Sequence, residues 1–483
     1  MRRSISQVRS LKTVGELRAH LVELGVDLPV GDAVSPAPEG PLAQPLDLGD
    51  GLVAGNRFAV LPMEGWDGTA EGLPTDLVER RWERFGSSGA KLVWGGEAVA
   101  VRHDGRANPR QLTITSERQA EALDSLRQRL VKVHVEEHGR SDDLVVGLQL
   151  THSGRFARPD DDGPRPQIAY HHPVLDNRLT GGAPPEILSD GQLDSLAGDF
   201  VAAAVRAEAA GFAFVDVKAC HGYLGHELLS AIDRPGIYGG DLSGRSRFLR
   251  QVIAGIRSAV PGLGIGVRLS VFDFVPMHTG VDGVGVPEAT AGGAPYRHAF
   301  GGDGTGTGVD LAEVIDLIDL LHPLDVRMIC VTGGSPYYSP HIQRPAYFPP
   351  SDGYDPPEDP LVGVARLIGA ATEIKRRRPS TVVIGSGYSY LQEWLPNVAE
   401  AVIAAGDADA IGVGRMVLSY PTLPADVLAG RTLDRRHLCR TFSDCTTAPR
   451  AGLVSGCYPL DEAYKSRPER STLVAVKRKA RSV

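Results

Sequence analysis

The chain has 483 residues, of which 42% are hydrophobic and 23% charged, as is typical of a globular protein. Its net charge of −8 and isoelectric point near 6.0 argue against a nucleic-acid partner, which would require a basic surface. No apolar run approaches the roughly 18–20 residues that a membrane-spanning helix needs, so we expect no membrane partner. Five cysteines in a chain of this size indicate a reducing compartment, and we expect a cytoplasmic protein.

Residues 1–50 predict a helical lead-in and a proline-rich linker rather than an independent domain. Thr13 and Glu16 have the spacing of a capping box, and three leucines follow at helical intervals. The stretch from Pro29 to Pro45 is rich in proline and predicts an extended linker or clasp.

From residue 51 to residue 430 the chain alternates short apolar runs with amphipathic segments. The predicted strands lie at 57–62, 90–97, 144–150, 212–217, 264–270, 326–332, 381–386 and 408–414. The predicted helices lie at 75–86, 116–138, 190–210, 245–259, 309–321, 361–378, 391–405 and 420–430. Eight such units favour an α/β fold, a closed (β/α)8 TIM barrel. An open doubly wound sheet is the alternative. It usually has a glycine-rich turn after its first strand, where this chain has MEGWDG.

Three segments that follow strands are much longer than a strand-to-helix connection requires: 152–189, 271–308 and 333–360. Loops after strands lie on the face of a barrel that carries catalysis, so we expect these three to form a substrate lid or gate. Surface decoration is the alternative. Residues 431–483 follow the last predicted helix as a C-terminal extension, and for its basic tail we expect a solvated end.

The fourth predicted strand ends in a cluster of reactive side chains. Lys218, His221 and Tyr223 follow its apolar run within six residues, and each can donate a proton. A spacing of three would place Lys218 and His221 on opposite faces of a regular strand, so they must lie where the strand turns into its loop. The following Gly222 permits that turn. The sequence therefore predicts an active site at this strand end.

The seventh and eighth units predict an anion site. Gly412, Gly414 and Arg415 lie at the junction of a strand and a helix, where unpaired backbone N–H groups and an arginine can bind an anion. Gly387 belongs to a similar turn in the seventh unit. Loops seven and eight of a barrel commonly hold a phosphate together. The alternative is that the glycines serve only tight turns.

Several motifs occur in the order of the strands: NRFAVLPM at the first, QLTHSGRFARP at the third, HGYLGHELLSA and YGGDLSGRSRF at the fourth, VRLS at the fifth and GVGRMVLSYPTLP at the eighth. Together they resemble the Old Yellow Enzyme family of FMN-dependent ene-reductases, and in particular its larger dienoyl-CoA-reductase-like members. The resemblance covers most of residues 50–430. It implies FMN lying across the barrel mouth, with NADH or NADPH as the reductant.

The resemblance also implies which residues contact FMN. The phosphate would meet Gly387, Gly414 and Arg415. The ring and ribityl chain would meet Pro62, Met63, Ala98, Gln149 and Arg268. The side chains suit these roles, because an amide can donate and accept at a pyrimidine edge and a cation stabilises the anionic reduced ring. The alternatives are a glutamine satisfied by backbone groups and an arginine in a structural ion pair.

In the resembled family, two hydrogen-bond donors three residues apart grip the oxygen of the substrate, and a tyrosine donates the proton. The matching positions are Lys218 with His221, and Tyr223; Lys218 stands where the family usually has histidine. Tyr338 could cover the substrate or the flavin. The implied reaction reduces an activated C=C bond of an enone or enoate, with hydride from flavin N5 and the proton from Tyr223. Dehydrogenation or isomerisation of a small organic substrate stays open, as does a Schiff-base lyase or aldolase using Lys218.

Glu64 is the second departure from the family, which often has threonine or cysteine there, close to the flavin. A carboxylate at that position would oppose the negative charge of a reduced flavin. It could be protonated, point away, shift the flavin potential, or form a salt bridge with Lys218.

The cysteines after the barrel match the cluster ligands of the larger relatives only in part. Cys445 and Cys457 have the family's spacing, Cys439 is one residue out of register, and Thr441 takes another ligand position. A [4Fe–4S] cluster normally needs four thiolates, so we expect neither a cluster nor another metal. We also expect no downstream flavoprotein domain. The expected partner is a small-molecule substrate, and self-association stays open.

Overall fold

The computed structural model describes residues 5–180, 185–289 and 294–481. Parts of the predicted loops 152–189 and 271–308, the start of the basic N-terminus and the last two residues of the basic tail lie outside these ranges. In the described residues the strands are β1 Leu46–Gly49, β2 Leu52–Ala54, β3 Phe58–Val60, β4 Leu92–Val93, β5 Ala98–Ala100, β6 Val145–Thr151, β7 Phe214–Val217, β8 Gly264–Ser270, β9 Met277–Thr279, β10 Gly285–Pro287, β11 Met328–Thr332, β12 Val382–Gly385 and β13 Ala410–Val413.

Eight parallel strands close into a barrel in the order β3, β4, β6, β7, β8, β11, β12 and β13, and β13 pairs with β3 to complete the ring. Each of the eight overlaps one of the predicted apolar runs, so the predicted (β/α)8 fold is confirmed. The runs lack polar alternation because strands of a parallel barrel are covered on both faces. β6 and β8, for example, are buried along their whole length.

The helices surround this barrel, and each of the eight predicted helical segments overlaps at least one of them. They are α1 Val14–Glu23, α2 Asp76–Gly86, α3 Glu117–His138, α4 Leu175–Thr180, α5 Asp190–Ala209, α6 Leu224–Leu229, α7 Leu242–Arg245, α8 Arg247–Ala259, α9 Ala312–Leu321, α10 Pro340–Gln343, α11 Pro360–Arg377, α12 Leu395–Ala404, α13 Arg415–Ser419, α14 Leu423–Leu428, α15 Asp444–Arg450, α16 Glu462–Lys465 and α17 Glu469–Arg481. No helix among the described residues combines the length and the apolar character needed to cross a membrane.

The N-terminal segment packs against the barrel helix α12. α1 begins at the predicted cap, where the Thr13 hydroxyl accepts a hydrogen bond from the Glu16 backbone N–H. Further along, the Asn397 carbonyl accepts a hydrogen bond from the backbone N–H of Gly31 at 3.0 Å, and the Glu400 carboxylate accepts one from Ser35 at 2.8 Å. The proline-rich stretch therefore lies along α12 as a clasp.

Most side chains in the described part of the basic tail are exposed, as expected of a solvated end, although its backbone is helical. This part forms α17, whose Leu473 is fully buried beside Tyr464 and Ala448. Lys477 of the same helix forms a salt bridge with Asp444 of α15. Leu473 and Lys477 thus attach α17 to the rest of the C-terminal extension, while Arg478 and Lys479 are exposed.

Candidate active site

A cavity of about 740 Å³ opens at the carboxyl ends of the barrel strands, within the size range of ligand sites. Each of the three long loops contributes to its wall, for example through Phe156, His278 and Tyr337. All thirteen predicted site residues line it: Pro62, Met63, Glu64, Ala98, Gln149, Lys218, His221, Tyr223, Arg268, Tyr338, Gly387, Gly414 and Arg415. Residues from all eight units of the barrel therefore meet at one place, although their roles are still predictions.

The turn after β7 brings its polar side chains to the same cavity. His221 and Gly222 both have left-handed backbone conformations, with φ of 67° and 77°. A non-glycine residue in this region is strained, and its neighbours must hold it there. The His221 N–H donates to the Ser270 hydroxyl at 3.0 Å, and its carbonyl accepts from the Ser335 hydroxyl at 2.8 Å. The backbone therefore leaves regular strand geometry at His221. This agrees with the expectation that Lys218 and His221 lie where the strand turns into its loop.

Glu64, Lys218 and Tyr223 form one contact group inside the cavity. The Tyr223 hydroxyl donates to both Glu64 carboxylate oxygens, at 2.8 and 3.0 Å. The Lys218 ammonium lies 3.7 Å from Glu64 Oε2 and 3.8 Å from the centre of the Tyr223 ring. Glu64 therefore points into the cavity. Of the four alternatives considered for its carboxylate, the salt bridge with Lys218 is present.

Burial dominates the protonation of this group. It raises the pKa of Glu64 and lowers the pKa of Lys218, and the attraction between the two charges opposes both shifts. Burial, followed by the negative charge of Glu64, raises the pKa of Tyr223 well above its usual value. Tyr223 therefore keeps its proton in neutral solution, and Glu64 takes up a proton more readily than an exposed glutamate.

His221 is the uncharged member of the predicted donor pair. Burial, Arg268 and Lys218 lower its pKa well below the usual range, so the ring is neutral. Its Nε2 lies 3.4 Å from the Thr332 hydroxyl and 3.3 Å from the Gln343 amide nitrogen. A neutral imidazole has one N–H donor, whereas the ammonium group of Lys218 has three.

The buried carboxylate of Asp216 holds the Gln149 side chain and the Arg268 backbone, and both residues are among the five predicted to contact the flavin ring and ribityl chain. It accepts hydrogen bonds from Gln149 Nε2 at 2.5 Å, from Trp94 Nε1 at 2.7 Å and from the backbone N–H of Arg268 at 2.6 Å. Burial raises the pKa of Asp216 to about 6. Asp216 was not among the predicted site residues, although an aspartate inside the apolar run FAFVDV was a signal for it.

The other end of the cavity has two arginines without a carboxylate partner among the described residues. Arg415 follows the turn at Gly414 and donates from Nη2 to the Pro345 carbonyl at 2.7 Å, while its buried Nη1 has no partner in these ranges. Burial and Arg415 lower the pKa of Arg344 to about 10, so the two cations are close. A Cβ on Gly414 would meet no atom within 4 Å, which leaves the turn open. Two partly buried cations without a described carboxylate partner favour a bound anion.

The two tyrosines after β11 have different positions. Tyr338, the predicted cover, is buried and donates its hydroxyl to Asp273 at 2.5 Å. Tyr337 is partly exposed, stacks on Phe156 with ring centres 4.1 Å apart, and has its hydroxyl 3.0 Å from that of Tyr223. Tyr338 was the predicted cover, whereas Tyr337 is the tyrosine in contact with the predicted proton donor.

The cysteines of the C-terminal extension are thiols in a buried setting. Cys445 and Cys457 line the cavity and Cys439 is buried behind it. Burial raises the pKa of Cys439 and of Cys457, which disfavours the thiolate that binds metals. Within the described ranges, no three His, Cys, Asp or Glu side chains are arranged to hold a metal ion.

Parts of this chain are similar in sequence to known proteins. Residues 41–291, or 251 of 483, match the sequence profile of the NADH:flavin oxidoreductase / NADH oxidase family. An NADPH dehydrogenase of Geobacillus sp. (strain WCH70) is 30% identical over 47% of this chain and 62% of its own length. One from Bacillus subtilis (strain 168) is 33% identical over 37% of this chain and 48% of its own length. The chain thus spans about half to three-fifths of these curated relatives.

Two solved structures share the fold. A 2-naphthoyl-CoA reductase superposes with a TM-score of 0.65 at 17% identity, covering 90% of this chain and 58% of its own. Morphinone reductase superposes with a TM-score of 0.56 at 21% identity, covering 82% of this chain and 91% of its own. At these identities the likeness concerns the barrel and not the chemistry.

Proposed function

Because the chain belongs to the NADH:flavin oxidoreductase / NADH oxidase family, we propose that it is an FMN-dependent oxidoreductase that NADH or NADPH reduces and that reduces an activated C=C bond. Family membership confirms the resemblance carried by the strand motifs. The observation that carries the proposal is the meeting of Lys218, His221 and Tyr223 in a cavity whose far end presents two unneutralised arginines.

The residues of the cavity fit FMN. Its phosphate matches the open turn at Gly414 together with Arg415 and Arg344, whose buried guanidinium nitrogens lack partners in the described chain. Arg268 has a buried Nε without a described partner and contacts the Pro62 carbonyl through Nη1 at 3.3 Å. It is a cation suited to the ring. FMN, when bound, would supply the hydride.

Lys218 and His221 would hold the oxygen of the acceptor. Charge develops on that oxygen during alkene reduction, and each fixed donor in comparable sites contributes about 3–4 kcal/mol to its stabilisation. Lys218 already serves Glu64, at 3.7 Å. An ammonium group has three N–H donors, so Lys218 can serve the carboxylate and the acceptor oxygen together.

Tyr223 would donate a proton to the substrate, and Glu64 would then reprotonate Tyr223. Burial and the nearby carboxylate raise the pKa of Tyr223, so its anion is unfavourable. The tyrosine must therefore regain a proton soon after it donates one. Protonated Glu64, which burial favours, touches the Tyr223 oxygen at 2.8 Å and can return it. Tyr337, 3.0 Å away, holds the same oxygen in place.

The decisive experiment follows the visible spectrum of the purified protein under anaerobic conditions in a stopped-flow instrument. We expect a bound flavin that NADH or NADPH bleaches and that a panel of enones, enoates and nitroalkenes recolours. Absence of flavin, or no recolouring by any alkene, would overturn the proposal. Products formed without net consumption of nicotinamide would instead indicate isomerisation or dehydrogenation.

A Schiff-base lyase is the second candidate, because burial lowers the pKa of Lys218 as nucleophilic lysines require. Colourless protein and covalent trapping of a carbonyl substrate on Lys218 by borohydride would favour it. Yellow protein that is not trapped would exclude it.

A further inference from the structure

The basic side chains of the cavity are of two kinds. Seven of its eleven lysine and arginine side chains lie within 4 Å of a carboxylate, as Arg178 does with Glu288 and Lys218 with Glu64. The other four lack a carboxylate partner among the described residues: Arg158, Arg268, Arg344 and Arg415. The proposed function uses three of these for the ring and the phosphate, which leaves Arg158.

Arg158 is a half-buried cation with no described partner. Its side chain makes no hydrogen bond or ion pair to any residue in the described ranges, and its Nε is shielded from solvent. Shielding a polar N–H from water without an acceptor is costly. A protein that pairs seven neighbouring cations and leaves this one unpaired has a position where an anion from outside would be strongly favoured.

Arg158 lies two residues after Phe156 on the wall of the cavity. Arg158 and Phe156 both line the cavity, while Ala157 between them is fully buried. The Phe156 ring stacks on Tyr337, whose hydroxyl lies 3.0 Å from Tyr223. Arg158 thus extends the wall formed by Phe156, whereas the phosphate end is built from the turns after β12 and β13.

We propose that Arg158 binds a carboxylate of the acceptor, so that the substrates are unsaturated carboxylates rather than neutral enones. This rests on the proposed function. A guanidinium pairs with a carboxylate through two parallel hydrogen bonds, which fixes orientation as well as charge. Lys218 lies 3.7 Å from Glu64 and is already assigned to the oxygen on which charge develops, so it is not free to pair with a carboxylate as well. Arg158 is the cation of the cavity wall that neither a described carboxylate nor the proposed FMN contacts engage.

The test compares cinnamate with cinnamamide, which share a carbon skeleton and differ in charge. Binding to the holoenzyme is measured by calorimetry, and reoxidation of the reduced flavin by stopped flow. We expect Arg158→Gln to weaken cinnamate binding by about 10- to 100-fold and to leave cinnamamide binding nearly unchanged. Arg165→Gln, an exposed arginine of the same loop paired with Asp162, is the matched control and should change neither.

Several outcomes would overturn the assignment. Equal losses for acid and amide, or no loss for either, would remove Arg158 from carboxylate binding. Slower flavin reduction by NADPH but not by NADH would assign Arg158 to a nicotinamide phosphate instead. If Arg158→Gln does not fold, Arg158→Lys keeps the charge and should keep the preference for cinnamate. If no alkene reoxidises the flavin, the proposed function fails, while calorimetry still decides whether Arg158 selects the anion.

Discussion

The Tyr223 hydroxyl donates a hydrogen bond to the Glu64 carboxylate, 2.8 Å away and 159 residues earlier in the chain. Lys218 lies against both, 3.8 Å from the centre of the tyrosine ring and 3.7 Å from the carboxylate. The protonation states of the three side chains are therefore coupled, and a change in one of them alters the pKa values of the other two. This coupling is the physical basis of the first two predictions.

Glu64→Gln should slow alkene reduction by about 10- to 100-fold, because glutamine keeps the hydrogen bond to Tyr223 but cannot return a proton. Burial raises the pKa of Glu64, so its acid form persists to higher pH than that of an exposed glutamate. The wild-type rate of flavin reoxidation should therefore fall as pH rises through that raised pKa, and the variant should lose this dependence. Single-turnover stopped flow over a pH series measures it.

Reduction of the flavin by nicotinamide serves as the internal control for Glu64→Gln. Removing a carboxylate near the cofactor should not slow that step, since the reduced ring is anionic. A variant that keeps the wild-type pH profile of reoxidation would show that Glu64 is not in the proton path.

Tyr223→Phe should reduce the rate of flavin reoxidation by an alkene by about 100-fold or more while leaving reduction by nicotinamide nearly intact. The phenylalanine retains the ring that Lys218 contacts and loses only the hydroxyl. Tyr337→Phe is the matched variant, with a smaller effect because Tyr337 contacts only Tyr223 in this group. Both half-reactions are measured separately, and unchanged turnover in Tyr223→Phe would exclude this residue as the acid.

The barrel could be predicted from sequence because its strands are buried on both faces and appear as uninterrupted apolar runs. The hairpin Leu46–Gly49 with Leu52–Ala54 was missed, since its strands are short and its inward and outward residues alternate. Helix α17 was missed because its basic residues concealed the single apolar contact made by Leu473.

The predicted site residues came from local patterns: a polar cluster after β7 and glycine turns after β12 and β13. Arg344, Tyr337, Arg158 and Asp216 belong to the same cavity or lie directly behind it, and sequence analysis did not assign them. The first three lie in long loops that have no periodicity, so their positions depend on contacts distant in sequence. Asp216 has a visible signal, but its partners come from three other strands or strand ends.

Replacing either arginine of the anion end should weaken FMN binding. Arg415→Gln and Arg344→Gln each remove a charged donor, and the expected loss is about 10- to 100-fold in affinity, with a weaker dependence on salt. Arg140→Gln removes an exposed arginine that pairs with Asp142 before β6, and it should leave affinity unchanged. Fluorescence titration of flavin-depleted protein measures all three. Equal affinities would show that the phosphate binds elsewhere.

Asp216→Asn should destabilise the fold by about 1–3 kcal/mol. The asparagine amide nitrogen would face N–H donors that now bind the carboxylate, among them Trp94 Nε1 at 2.7 Å and Gln149 Nε2 at 2.5 Å. At least one buried donor would lose its acceptor. Urea unfolding followed by circular dichroism measures the change, with the exposed Asp142→Asn as a control.

The effect of Asp216→Asn should also depend on pH. Burial raises the pKa of Asp216 from 3.8 to about 6, so between these values the folded protein holds a proton that the unfolded chain has lost. The stability that this proton provides is present at acidic pH and is lost as pH rises through about 6. Asparagine has no such proton, so the deficit of the variant relative to wild type should shrink between about pH 4.5 and pH 7.5. A deficit that grows over this interval would mean that the three N–H donors outweigh burial and that Asp216 is held as a permanent anion beneath the cofactor site.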